Sequence, residues 1–195
     1  MSGERPVFHY DLSSPESYLA AERVNSALPE PPLWQPILLA DLPGAIGPGA
    51  FRCADEREVH MAHLEQRAAA QGLLALRWPD PWPTDVSFAM RAAQYCTQIG
   101  RGVAFAQAAF RQAFAGGRDL SVVDNVCIAA AACELHPAAL IKGAELRSTR
   151  EGLARATQAA AKLGVREVPA VAVGERLFSG DLAVEHGAAT LGAPA

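Results

Sequence analysis

Short apolar runs and helical patterns divide the chain into three parts. The run PVFHYDL at 6–12 predicts a first strand, and LWQPILL at 33–39 predicts a second, which its proline places at a sheet edge or a strand end. Between them Ser14 is a typical helix N-cap and Pro15 a typical first helical residue, so we expect a helix that runs to about Leu28. The first part therefore predicts a β-α-β unit.

Apolar residues at helical spacing fill the middle of the chain. They predict a short helix after Pro137 and, before it, helices at 51–72, 85–99, 102–115 and 121–133. Ser121, with Asp124 three residues later, is expected to cap the helix at 121–133. The Gly- and Pro-rich stretch DLPGAIGPGA fits neither a dinucleotide fingerprint nor a phosphate-binding loop, and we interpret it as the boundary of this block.

The last part predicts a helix, a hairpin and a short helix. A helix is expected at 148–165, opened by a capping box of Ser148 and Glu151 and closed by a glycine. The run VPAVAVGERLF at 168–178 predicts a β-hairpin that turns at its Gly-Glu pair, and Asp181 follows near the start of the last helix. The predicted order is β-α-β, a block of helices, then α-β-β-α, which is an α/β fold.

Length and charge exclude several classes of protein. The 195 residues fit one domain, or one domain with a large insertion. The net charge of −4, without a long run of Lys or Arg, makes nucleic acid an unexpected partner. No apolar stretch approaches the roughly 18 residues of a membrane span, and the first residues leave no room for a secretory leader, so we expect a cytoplasmic protein without a membrane partner.

Cysteines and histidines give no strong metal or redox signal. The four cysteines, Cys53, Cys96, Cys127 and Cys133, form no C-x-x-C, so we expect free thiols in a reducing compartment. His60 and His63 could share a metal, but no third ligand is evident and an exposed helix face is the favoured interpretation. We therefore predict no metal site.

The loop LRWPDPWPTD at 76–85 is unusually rich in tryptophan and proline. Its tryptophans could line a pocket or cover the core, and the sequence leaves both alternatives open.

The opening of the chain resembles a known family. Ser14-Pro15-Glu16-Ser17 is similar to the Cys-Pro-x-Cys of DsbA-like oxidoreductases with both sulfurs replaced by oxygen, and YDLSSPESYLA resembles the start of 2-hydroxychromene-2-carboxylate isomerases and kappa-class glutathione transferases. Three further segments resemble the same family in collinear order: PILLADLPGAIG, LRWPDPWPTDVSFAMRAA and LGVREVPAVAVGERLFSGD. The resemblance implies a DsbA-like thioredoxin fold, with residues 1–45 and 148–195 as a discontinuous thioredoxin-like domain and 46–147 as an all-α insertion.

The resemblance also implies a thiol site. Ser14 would donate a hydrogen bond to the sulfur of glutathione, or of another low-molecular-weight thiol, and with the helix dipole would favour the thiolate. Pro169 would be cis, and Val168 would present its backbone to the cysteinyl part of the tripeptide. Asp181, with the backbone at Gly180, would hold the γ-glutamyl ammonium.

The implied activity is a thiol-assisted isomerisation of a small aromatic enone-type acid. The thiol adds to a conjugated carbon, the resulting single bond rotates, and elimination returns the thiol. Ser17, Arg77, Trp78 and Trp82 are candidates for the substrate pocket. A homodimer is compatible with the resemblance.

Three departures from the family pattern keep alternatives open. Gly180 stands where the family usually has Asn or Ser, Glu167 where it often has Gly, and GPGAFRC at 47–53 replaces an Asn-containing stretch. The alternatives are a different thiol, a non-catalytic thioredoxin-fold binding module, and a DsbA-like dithiol oxidoreductase. Hydroxyls at positions 14 and 17 argue against the oxidoreductase, because they cannot form a mixed disulfide.

Overall fold

Four short strands form the central sheet. In the computed structural model, which describes residues 5–192, the strands are β1 (Val7–Tyr10), β2 (Leu33–Pro36), β3 (Ala170–Val173) and β4 (Arg176–Ser179). Their order is β2-β1-β3-β4, with β1 parallel to β2 and β3 antiparallel to both of its neighbours. The outermost parts of the predicted thioredoxin-like domain, 1–4 and 193–195, lie outside the described residues.

Helices follow the strands in the predicted order. They are α1 (Pro15–Ala21), α2 (Val24–Ala27), α3 (Ala54–Ala70), α4 (Ser87–Gln98), α5 (Gly102–Phe114), α6 (Val123–Ala131), α7 (Pro137–Glu145), α8 (Arg147–Lys162) and α9 (Ala183–Thr190). The unit β1-α1-β2 and the unit α8-β3-β4-α9 share one sheet through the pairing of β1 with β3. Helices α3 to α7 lie between the two units in sequence, which is the predicted thioredoxin fold with an all-α insertion.

The single helix expected to reach Leu28 is wrong. Helix α1 ends at Ala21, and Arg23 leaves the helical conformation with φ −127° and ψ −17° before α2 begins. The Arg23 guanidinium forms an ion pair with Glu185 of α9, so a contact between distant segments coincides with the break.

Two expected helix caps are also wrong. Helix α6 starts at Val123, and both the N–H and the hydroxyl of Ser121 donate to the carboxylate of Asp119 instead. Helix α8 already starts at Arg147, because Leu146 alone separates it from α7, so Ser148 lies inside the first turn. The glycine ends are confirmed, since Gly72 and Gly164 follow their helices with φ of +69° and +93°.

The core joins the sheet to the helical block. On one face of β1, Phe8 and Tyr10 are fully buried, and the Tyr10 ring lies 5.8 Å from that of Phe110 on α5. Tyr18 of α1 stacks on Phe114 of the same helix α5 at 5.9 Å between centroids. This packing holds the start of α1 against the end of β1, where the candidate site lies.

Candidate functional site

A cleft of about 600 Å³ opens where β1 gives way to α1. Four of the residues predicted for thiol binding line it: Ser14, Val168, Gly180 and Asp181. Sequence reasoning missed further members of the lining, among them Glu16, Phe51, His60 and His186. The structure therefore brings together segments from the first and last parts of the chain and from the insertion.

Asp11 fixes the turn that presents Ser14. Its buried carboxylate accepts hydrogen bonds from the Ser13 N–H at 2.8 Å, from the Ser13 hydroxyl at 2.7 Å and from the Leu39 N–H at 2.7 Å. Burial raises the pKa of Asp11, although these three hydrogen bonds oppose the rise. The aspartate of the YDLSSP motif thus ties the strand-to-helix turn to the segment that follows β2.

Ser14 is the N-cap of α1 and lies at the cleft wall. Its Oγ accepts the Ser17 N–H at 3.0 Å, as expected for a cap. Its own hydroxyl donates to Glu16 Oε2 at 2.8 Å, and the carbonyl oxygen of Val168 lies farther away at 3.4 Å. The one hydroxyl proton of Ser14 is therefore engaged by a carboxylate in the cleft.

Glu16 joins Ser14 to His60 of α3. His60 Nε2 lies 2.8 Å from Glu16 Oε1, while Ser14 occupies the other carboxylate oxygen. Burial alone would raise the pKa of Glu16, but hydrogen bonds from His60, its own N–H and Ser14, together with the His60 charge, hold it below its usual range. The hydrogen bond to Glu16 raises the pKa of His60 in turn. The carboxylate is thus kept ionised between two donors.

The Val168–Pro169 peptide bond is cis, as the resemblance implied. The Gly180 N–H donates to the carbonyl oxygen of Pro169 at 2.9 Å, which fixes the segment after β4 beside this bond. Gly180 has φ +78°, and a Cβ there would lie 3.3 Å from Glu167 Oε1. The two departures from the family pattern, Glu167 and Gly180, are therefore neighbours in space.

Asp181 lines the cleft and is in contact with α3. Its carboxylate forms an ion pair with Arg67, and 47% of its side chain stays exposed. A ligand ammonium would have to share this carboxylate with the guanidinium.

None of the four candidates for a substrate pocket is among the residues that line the cleft. Ser17 is fully buried, and its Oγ has no hydrogen-bond partner among residues 5–192. The backbone N–H of Arg77 donates to the Phe114 carbonyl oxygen. Trp82 is 4% exposed and belongs to the core, with the Trp78 ring 4.7 Å away. The tryptophans of the Pro-rich loop were expected either to line a pocket or to cover the core, and Trp82 covers the core.

Among residues 5–192, no group of three His, Cys, Asp or Glu side chains could hold a metal ion. The cysteines are free, and burial raises the pKa of Cys96 to about 12. Over the same residues, no helix is long and apolar enough to cross a membrane.

Comparison with known proteins gives a family and a fold. The model of the DSBA-like thioredoxin domain matches residues 7–192. No curated protein sequence matches the chain. A solved 2-hydroxychromene-2-carboxylate isomerase is similar with a TM-score of 0.85 at 18% identity, covering 96% of this chain and 94% of that one. A probable DsbA oxidoreductase from Streptomyces coelicolor gives 0.78 at 19% identity, covering 96% and 88%. At these identities the two structures establish the fold alone.

Proposed function

Because the chain belongs to the DsbA-like thioredoxin domain family, we propose that it is a thiol-dependent isomerase of the 2-hydroxychromene-2-carboxylate isomerase type. The observation that carries the proposal is Ser14, which places a hydroxyl at the wall of a cleft beside a cis-proline. A hydroxyl can donate to a sulfur anion but cannot form a mixed disulfide, and Ser17 leaves the second redox position equally without sulfur. These replacements favour the isomerase over a disulfide oxidoreductase.

The residues of the cleft fit a small thiol such as glutathione. Ser14 would hold the sulfur, the Val168 backbone would pair with the cysteinyl unit, and Asp181 with the Gly180 backbone would receive the ammonium. When bound, the thiol supplies a nucleophile that adds reversibly to a conjugated carbon of an aromatic enone-type acid. The chain's own residues hold the sulfur, and the thiol leaves again after the bond rotates, so the proposed activity is an isomerisation that consumes no thiol.

The experiment that tests this proposal is a calorimetric titration with reduced glutathione, combined with the ultraviolet absorbance of the thiolate, for the wild type and Ser14→Ala. We expect the wild type to bind and to give a thiolate signal that the variant loses, because the variant lacks the donor to sulfur. The lost cap should cost about 1 kcal/mol of stability, which a urea titration measures. A thiolate signal equal in both proteins would remove Ser14 from the role.

A further inference from the structure

Ser14 cannot serve a thiolate while its proton is given to Glu16. A hydroxyl carries one hydrogen, and in this structure Glu16 Oε2 accepts it at 2.8 Å. A sulfur that takes this hydrogen bond must therefore displace the carboxylate as its acceptor. The thiol arrives with a proton of its own. Glu16 Oε2 can take that proton, because it lies 2.8 Å from Ser14 Oγ, closer than the Val168 carbonyl oxygen at 3.4 Å.

The negative charges of Glu16 and of a bound thiolate also favour transfer of the thiol proton to Glu16. A sulfur anion beside an ionised Glu16 would place two negative charges on one hydroxyl, and two anions that share a site raise each other's pKa. The repulsion is removed if the thiol proton stays in the cleft and neutralises the carboxylate. The pair then titrates as one unit.

From these contacts we propose that Glu16 is the acid-base residue of the cleft, which takes the proton of the bound thiol and returns it when the thiol leaves. The S–H bond breaks, its electron pair stays on sulfur, and an O–H bond forms at Oε2 of Glu16. The Ser14 hydrogen turns from Oε2 to the sulfur. His60, at the other carboxylate oxygen, positions Glu16. The inference rests on the proposed thiol binding.

The other titratable groups of the cleft decide which control variants are needed. His60 of α3 contacts Glu16, Glu167, Asp181 and His186 also line the cleft, and Arg67 of α3 pairs with Asp181. Glu167 is a carboxylate of the same cleft whose side chain has no hydrogen bond to Ser14 among the described residues. Glu167→Gln therefore removes the same charge as Glu16→Gln but leaves in place the carboxylate that is proposed to take the proton.

The test measures the thiolate absorbance of the reduced glutathione complex between about pH 5.5 and pH 7.5, below the ordinary thiol pKa of about 8.5. If Glu16 holds the proton, the wild-type thiolate signal is nearly independent of pH, and calorimetry in buffers of different ionisation enthalpy shows no net proton release. In Glu16→Gln the thiol must lose its proton to solvent, so the thiolate fraction rises with pH, by up to about tenfold per pH unit below the thiol pKa. Glu167→Gln should keep the wild-type profile.

His60→Gln separates the positioning residue from the proton acceptor. We expect it to keep the pH-independent thiolate, because Glu16 still accepts the proton. If the thiolate signal depends on pH in His60→Gln alone, His60 is the proton acceptor and the assignment of Glu16 is wrong. The assignment is also wrong if Glu16→Gln and the wild type have identical pH profiles. Circular dichroism of each variant checks that it is folded.

Failure of the proposed function gives a different result. If the wild type binds neither reduced glutathione nor the uncharged N-acetylcysteine amide, thiol binding itself is refuted and the assignment of Glu16 falls with it. If the wild type binds a thiol with a Ser14-dependent signal and Glu16→Gln behaves in the same way, only the assignment of Glu16 is wrong.

Discussion

A buried histidine in the central strand should make the protein sensitive to acid. His9 lies in β1 between Gln35 of β2 and Ala170 of β3 and is 4% exposed. Neither of its ring nitrogens has a hydrogen-bond partner in the part of the chain that the structure describes. Burial lowers the pKa of His9 from 6.5 to about 4, because it removes water from the charged imidazolium. We predict that His9→Leu removes a large part of the acid sensitivity.

The size of the effect follows from linkage. Well above pH 6.5 His9 is neutral in both the folded and the unfolded chain and contributes almost no pH dependence. As the pH falls from 6.5 to about 4, the unfolded chain takes up a proton that the folded chain rejects, so stability is lost. Between pH 7.5 and pH 4.5, His9 lowers the free energy of unfolding by about 2.5 kcal/mol. This is a substantial share of the roughly 5–15 kcal/mol by which a typical domain is stable.

Urea unfolding measures this loss through the fluorescence of the buried Trp34 and Trp82. The wild type and His9→Leu are compared at pH 7.5, 6.0 and 4.5, so that groups that titrate in both proteins cancel. The difference between their unfolding free energies should grow by about 2.5 kcal/mol toward the acid end. Stability curves that stay parallel across this range would show that His9 is hydrated or partnered, and would refute the reasoning.

Substitutions at three positions test packing and the cleft. Gly143→Ala should cost about 1–3 kcal/mol in urea unfolding, because a Cβ there overlaps the ring of Tyr95; an unchanged midpoint would contradict the packing. Gly180→Ala should cost about 1–2 kcal/mol through its φ of +78°, and Gly180→Asn less, since Asn tolerates this conformation; equal losses would point to contact with Glu167 instead. Asp181→Asn should weaken glutathione binding by about 1–3 kcal/mol in calorimetry, and unchanged affinity would remove Asp181 from the site.

Local signals predicted most of the fold, and contacts between distant segments account for the rest. The hairpin at Gly174 and the glycine that ends α8 depend on backbone conformations that only nearby residues set, and both were predicted from the sequence. The cap expected at Ser148 is wrong because Leu146 alone separates the end of α7 from the start of α8, so α8 begins before Ser148.

The same distinction applies to the cleft. Resemblance to a family identified Ser14, Val168, Gly180 and Asp181, which do line one cleft. It did not identify the contact of Glu16 with His60, because that contact depends on the path of α3 across the cleft and no periodicity links the two positions. In the sequence, His60 stands three residues from His63, a spacing that suggests a shared metal, whereas its partner in the structure is the carboxylate of Glu16 in another part of the chain.

The separation of the cleft residues along the chain also bears on how the protein folds. Ser14 and Val168 lie 154 residues apart, and α3 reaches the cleft from the insertion between them. Helices form early because their contacts are local. Contacts between residues so far apart in sequence form late, because they require closure of a long loop. Thiol binding would therefore report completed folding, and we expect it to recover after the far-ultraviolet circular dichroism of the helices when the denatured protein is refolded.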